Sequence, residues 1–269
     1  METGRSYVRF VAVGDSVTYG LGDRASERSR GWARLLAAAI AGDHHVSFCN
    51  LAQPGATAAD LRAQQLGEAL DHRPHVASLV VGLNDTMRSA WDPAAVRADL
   101  LYAASMLAAQ GALLLTVRFH DHSRVFGLPR FLARPMRQRI EDLNAIYEEI
   151  HARHGGVQVD LGSHPGIYDR EFWSIDRLHP SELGHRALAH EFSALLEQHG
   201  LSFEPPPLEL DGDPTTRLGE LRSLAVDGLP WLARRVRDLG PSLGRKALQT
   251  ALRGSQSSPV LGTYQFAPR

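Results

Sequence analysis

Four short blocks carry the residue types that covalent chemistry needs: Gly14-Asp15-Ser16, Gln53-Pro54-Gly55, Gly82-Leu83-Asn84-Asp85 and Asp176-Arg177-Leu178-His179-Pro180. A neutral serine hydroxyl is a weak nucleophile and requires a base within hydrogen-bond reach. His179 is the candidate base for Ser16, and Asp176 just before it is the candidate to orient the ring and stabilise it once protonated. Serine attack on a carbonyl creates an oxyanion, which needs preorganised donors. The N–H of Ser16, the N–H of Gly55 and the side-chain amide of Asn84 are the candidates. Together these types make a complete set for acyl transfer.

The blocks span more than half of the chain, so the elements between them must bring them together. Short runs rich in β-branched residues alternate with longer stretches of helical period. Strands are expected at Val8 to Val13, His45 to Asn50, Val76 to Gly82, Ala112 to Phe119 and Gly156 to Leu161. Helices are expected at Trp32 to Ala41, Ala58 to Leu70, Pro93 to Ala109, Met136 to Arg153 and Ser181 to His199. Such alternation implies a parallel sheet with right-handed crossovers, and near-continuous apolar strands imply a sheet covered on both faces. The predicted fold is α/β: a three-layer α/β/α sandwich around a five-stranded parallel sheet, flavodoxin-like in outline. In such a sheet the carboxyl ends of the strands share one edge, where ligands bind. The first three blocks follow strands directly and the fourth follows a loop, so all four are expected at one cleft.

The four blocks, in this order and spacing, resemble those of the SGNH, or GDSL-type, hydrolases, over roughly residues 8 to 199. The family's Ser-Gly-Asn-His quartet falls on Ser16, Gly55, Asn84 and His179, and Asp176 matches the acid of its D-x-x-H block. Val17 stands where many members carry Leu. The resemblance implies hydrolysis of esters or thioesters through an acyl-serine intermediate, without a metal or organic cofactor. The reading is therefore a serine esterase for small or medium acyl esters. A deacetylase, acyltransferase or thioesterase acting on a sugar or natural product is the rival within enzymes. A flavodoxin-like binding module is the rival outside them, but the residues after Gly14 lack the glycine spacing and lysine of phosphate-binding loops.

Other features invite bland and sharp readings side by side. His120-Asp121-His122 follows the fourth strand on the same edge, yet no further ligand stands at a zinc-like spacing, so a solvated or substrate-facing loop is expected rather than a metal site. The long stretch from Phe119 to Pro135 reads as a loop whose Phe126 and Phe131, with Trp173 further on, are candidates to wall an acyl pocket. A helical turn packed on the core explains those aromatics equally well. Cys49 lies within a strand and is a poor nucleophile candidate.

From Phe203 the composition changes, and the chain divides into a hydrolase-like domain, 1–203, and an extension, 204–269. The extension opens with Pro205, Pro206 and Pro207, which read as a linker, and continues with two short basic helical segments. Trp231, Leu232, Val236 and Leu239 form an apolar stripe bordered by Arg234, Arg235 and Arg237. Docking onto the domain or a protein partner is favoured over contact with a membrane surface, because the stripe is short and only modestly basic.

Composition limits the classes left open. A formal net charge of -1 among 269 residues gives no field favouring nucleic acid. One cysteine allows no intrachain disulfide, and the N-terminus lacks the basic start and apolar run of a signal peptide. The expected partner is a small-molecule ester and the expected location cytoplasmic; oligomeric state is left open.

Overall fold

The computed structural model of the protein describes residues 5–23 and 30–211. The five expected strands form one wholly parallel sheet: β1 (Tyr7–Gly14), β2 (His45–Asn50), β3 (Val76–Val80), β4 (Leu113–Arg118) and β5 (Val157–Asp160), in spatial order β2-β1-β3-β4-β5. β3 is buried at every position and β1 at nearly every position, which is why their sequences are apolar on both faces. β2 is an edge strand and only half-buried, so Cys49 sits at partial exposure.

The helices follow in chain order: α1 (Ser16–Tyr19), α2 (Gly31–Asp43), α3 (Ala58–Asp60), a π-helical turn (Leu61–Gln65), α4 (Leu66–Asp71), α5 (Leu83–Thr86), α6 (Pro93–Ala109), α7 (His122–Val125), α8 (Arg130–His154) and α9 (Glu182–Gln198). On one face of the sheet α2 packs against α9, with Trp32 stacked on Phe192 at 4.7 Å between ring centroids. On the other face lie α6, α8 and the segmented helix of α3, the π turn and α4. Local chemistry fixes the ends. Asp92 caps α6 by accepting from the N–H groups of Ala94 and Ala95. Thr57 and Asp60 make a reciprocal capping box at α3, and Ser181 caps α9.

Chain connectivity reverses between β1 and β3: the chain leaves β1 for β2 on one side and returns to β3 on the other. The crevice at that reversal, above the carboxyl ends of β1 and β3, is where open α/β sheets bind ligands.

Two expectations are corrected. α8 starts at Arg130, not Met136, with Pro135 inside it. The N–H that proline lacks would have served the carbonyl of Phe131, on the outermost turn, where solvent can serve it instead. α7 supplies a further helical turn, so the stretch from Phe119 to Pro135 is mostly helical rather than one long loop. The segment read as a linker is, over its described part, held on the domain. Glu204 donates its N–H to Asp43, Arg186 donates to the Pro207 carbonyl at 2.6 Å, and Asp211 pairs with Arg30 at 2.5 Å and with Arg186 at 2.7 Å. The two basic helical segments beyond it lie outside the described residues. No helix among the described residues is long and apolar enough to cross a membrane.

Candidate active site

Ser16 is the first residue of α1, directly after β1, and is buried with His179 against it. His179 Nε2 lies 2.9 Å from Ser16 Oγ, and His179 Nδ1 lies 2.7 Å from Asp176 Oδ2. The Asp176 carboxylate fixes the ring's tautomer: facing a pure acceptor, Nδ1 carries the proton, and Nε2 presents its lone pair to the serine hydroxyl. The other Asp176 oxygen accepts from Ser174 Oγ at 2.6 Å, Leu178 N at 2.9 Å and His179 N at 3.1 Å. These donors and the imidazole hold the carboxyl well below the usual carboxylate range although burial opposes them. Asp176 is therefore ionised at neutral pH.

The loop after α1 packs closely against the chain at His179 and Pro180. Gly22 has φ +99°, and a Cβ there would run into the carbonyl of Pro180 and come within 3.2 Å of His179 Cβ. Only glycine fits both the left-handed backbone and the contact.

Asn84 stands at the start of α5, after the reversal at Gly82, and is almost fully buried. Its amide nitrogen donates to the Ala56 carbonyl at 3.1 Å and approaches Asp15 Oδ2 at 3.4 Å. Gly55 lies across the crevice at φ +81°, and nothing occupies the 4 Å around the position its Cβ would take. Open space thus lies beside Gly55, which follows β2, while Ser16 and Asn84 follow β1 and β3. Asp15 caps α1 by accepting the Val17 N–H at 3.0 Å. Burial pushes its pKa up to about 6, opposed by that N–H and by the nearby His179 charge.

Three buried polar side chains brace the rim. Each bonds both the N–H and the C=O of one residue at or just past a strand end. Gln65 does so at Gly14, with both distances 2.9 Å. The Tyr147 hydroxyl accepts from Val81 N at 3.1 Å and donates to Val81 O at 2.7 Å. Asn144 does the same at Phe119, at 2.7 and 2.8 Å. The π turn puts one extra residue into the helix just where Gln65 turns towards β1. None of the three was singled out from sequence; the available signal was a lone polar residue on an otherwise buried helix face.

The aromatic candidates are placed differently from an open acyl wall. Phe131 is 61% exposed on the first turn of α8. Phe126 is half-buried with its ring edge-on to His122 at 4.5 Å. Trp173 is core: its indole N–H donates to the Ile167 carbonyl at 2.6 Å. With Asp15, Val17, His120 and Leu178 it lines a cavity of about 30 Å³, room for a water rather than an acyl chain.

His120 and His122 also depart from expectation. Far from forming a solvated loop, both are buried, with His120 Nε2 2.8 Å from His122 Nδ1. Burial holds both rings below the ordinary histidine range, His122 at about 3. Among the described residues no group of three or more His, Cys, Asp or Glu side chains is arranged to hold a metal.

A family model described as the GDSL-like Lipase/Acylhydrolase family matches residues 12–187. No curated protein matches the chain in sequence. Among solved structures, TesA is 22% identical, with a TM-score of 0.58 over 71% of this chain and 98% of its own. The lipase/acylhydrolase from Enterococcus faecalis is 24% identical, with a TM-score of 0.54 over 74% of this chain and 99% of its own. The acetylxylan esterase Axe2 from Geobacillus stearothermophilus is 19% identical, with a TM-score of 0.58 over 76% of this chain and 98% of its own. At these identities the structural likenesses speak for the shared fold.

Proposed function

Since this chain belongs to the GDSL-like lipase/acylhydrolase family and is a carboxylic ester hydrolase of that type, we propose that it cleaves small or medium acyl esters through an acyl-serine intermediate on Ser16. His179 takes the hydroxyl proton as Ser16 attacks the ester carbonyl, then returns it to the departing alcohol. Asp176 holds the ring and stabilises its protonated form. Water, activated by the same histidine, attacks the acyl-serine and releases the acid. The N–H groups of Ser16 and Gly55 and the Asn84 amide receive the oxyanion. For Asn84 this means exchanging the long 3.4 Å contact with Asp15 for the substrate oxygen.

The observation that carries this reading is the continuous contact from Ser16 through His179 to Asp176, at 2.9 and 2.7 Å. The open space beside Gly55 leaves room for an acyl group there, and a panel of graded acyl length measures how large a group is accepted. Axe2 is named for an acetylated sugar polymer, which supports including sugar acetates in a substrate panel.

The test is a panel of esters and thioesters of graded acyl length with the wild type and Ser16→Ala. The expected result is ester turnover that declines with long chains, and loss of both turnover and fluorophosphonate labelling in the variant. Turnover retained by Ser16→Ala excludes this nucleophile; faster cleavage of long-chain thioesters excludes the substrate class.

A further inference from the structure

The turn that carries Ser16 folds back on itself and then meets the chain at His179. The N–H groups of Gly20 and Leu21 both donate to the Ser16 carbonyl, at 3.1 and 3.0 Å, so Leu21 is fastened to the nucleophile's own backbone. The next residue, Gly22, approaches the Pro180 carbonyl and His179 Cβ too closely to carry a side chain. Leu21 and Gly22 therefore lie between the backbone of the nucleophile and that of its base. Their placement sets how far apart the two are held.

His185 fixes that placement. It is 0% exposed on the first turn of α9, with Nε2 2.9 Å from the Leu21 carbonyl and Nδ1 3.2 Å from the backbone nitrogen of Trp32. The two partners settle the state of the ring. The Trp32 N–H only donates, so Nδ1 presents a lone pair; the Leu21 carbonyl only accepts, so Nε2 carries the proton. The ring is thus neutral, and burial holds it below the ordinary histidine range. Trp32 belongs to the first turn of α2, whose N–H groups lack intrahelical partners, and Arg30 at its cap supplies no side-chain bond. Asp23, two residues after Leu21, accepts the neighbouring Gly31 N–H at 3.2 Å and ties the same stretch to α2 a second time.

We propose that His185 is a positioning residue for ester hydrolysis: its Nε2–H anchors the Leu21 carbonyl to α9 and so sets the spacing of Ser16 against His179. This rests on the triad reading above. α9 begins at Glu182, three residues after His179, so one short stretch of chain carries both the base and the anchor. With the bond in place, the serine turn and the histidine form one frame. Without it, Leu21 can drift from α9 and take the Ser16 carbonyl with it. Nothing here requires His185 to touch substrate. A shift of the serine turn by a fraction of an ångström degrades alignment in the transition state more than substrate binding.

The experiment compares wild type, His185→Gln and His185→Asn as full chains, with kcat expressed per site titrated to completion by a fluorophosphonate. A glutamine amide reaches the place of Nε2 and keeps a donor for Leu21. Asparagine reaches only as far as Nδ1 and keeps a partner for Trp32. Each variant loses one buried bond, so both should melt earlier, and stability does not separate the readings. Turnover does. The expected result is a fall of about 10-fold in kcat for His185→Asn with KM within about 2-fold, and kcat within about 3-fold of wild type for His185→Gln. A purely structural histidine predicts equal kcat per labelled site in all three proteins, which overturns the proposal, as does an equal loss in both variants. Long-range proton–nitrogen spectra of the wild type should show the Nε2–H tautomer of His185; a proton on Nδ1 overturns it. Should either amide variant fail to fold, Gly22→Ala decides. It leaves His185 in place and forces the loop off Pro180, and should lower kcat per labelled site about 10-fold with KM kept; unchanged kcat overturns the proposal. A wild type that neither labels nor turns over overturns the triad reading itself, which distinguishes that failure from one confined to His185.

Discussion

Replacing Asp85 by asparagine should make the protein more stable at neutral pH than at acid pH relative to wild type. Asp85 lies beside Asn84 on the turn after β3, is 9% exposed, and accepts the Ala58 N–H at 3.2 Å. Burial pushes its pKa up to about 7 from an ordinary 3.8, against the pull of the Ala58 N–H and Arg88, and Asp15 adds to the rise. Below pH 3.8 the group is neutral in both folded and unfolded chains. Above it the unfolded chain gives up its proton while the native chain retains one, so native stability falls with rising pH until the native group ionises near 7. A gap from 3.8 to about 7, at about 1.36 kcal/mol per pH unit, amounts to at most about 4 kcal/mol. Asparagine keeps the size of the side chain and an oxygen for Ala58 but has nothing to titrate. Urea denaturation of both proteins from about pH 4 to about pH 8 measures the difference directly, and the other titrating groups are common to both proteins. The advantage of Asp85→Asn should grow by about 2–4 kcal/mol over that span and level off above about pH 7. A difference independent of pH would refute the argument that Asp85 is held neutral by burial.

Changes at the acid and oxyanion positions should act on turnover far more than on folding. Asp176→Asn removes the carboxylate that selects the tautomer of His179, and kcat should fall by about 100- to 10,000-fold, with fluorophosphonate labelling slowed in parallel; equal labelling rates would exclude that role. Asn84→Ala should lower kcat by about 100- to 1000-fold with little change in KM, whereas a rise in KM alone would make Asn84 a substrate-binding residue. Gln65→Leu should act on stability instead. It strips a buried donor and a buried acceptor from Gly14, and a thermal or urea melt should show a loss of about 2–4 kcal/mol; an unchanged melt would mean that water substitutes there.

The sheet and the convergence of the four blocks were legible in the sequence because both follow from short-range rules. Apolar runs such as those of β1 and β3 mark fully covered parallel strands, and a parallel sheet puts its strand ends on one rim. The 2.9 Å approach of His179 to Ser16 is the outcome of that rule. What the sequence hid depends on long-range packing. Pro135 looked like a helix boundary because a local reading assumes its lost hydrogen bond is damaging, whereas at the outer end of α8 little is lost. His120-Asp121-His122 looked like a polar loop because residue type alone predicts solvation, yet Trp173, Phe126 and Tyr168, distant in sequence or on the next turn, close around the imidazoles. The π turn has no composition of its own, and Gln65 became visible as a brace only once the helix was set against β1.

The bracing of Gly14, Val81 and Phe119 by Gln65, Tyr147 and Asn144 bears on how the molecule breathes. Amides where a sheet gives way to loops ordinarily trade their hydrogens with solvent through small fraying motions. Here each of these three amides is sealed by a buried side chain anchored on another element, so its exchange awaits the opening of the whole layer. Substrate-contacting loops can then flex or diverge in sequence while the frame beneath them keeps its dimensions.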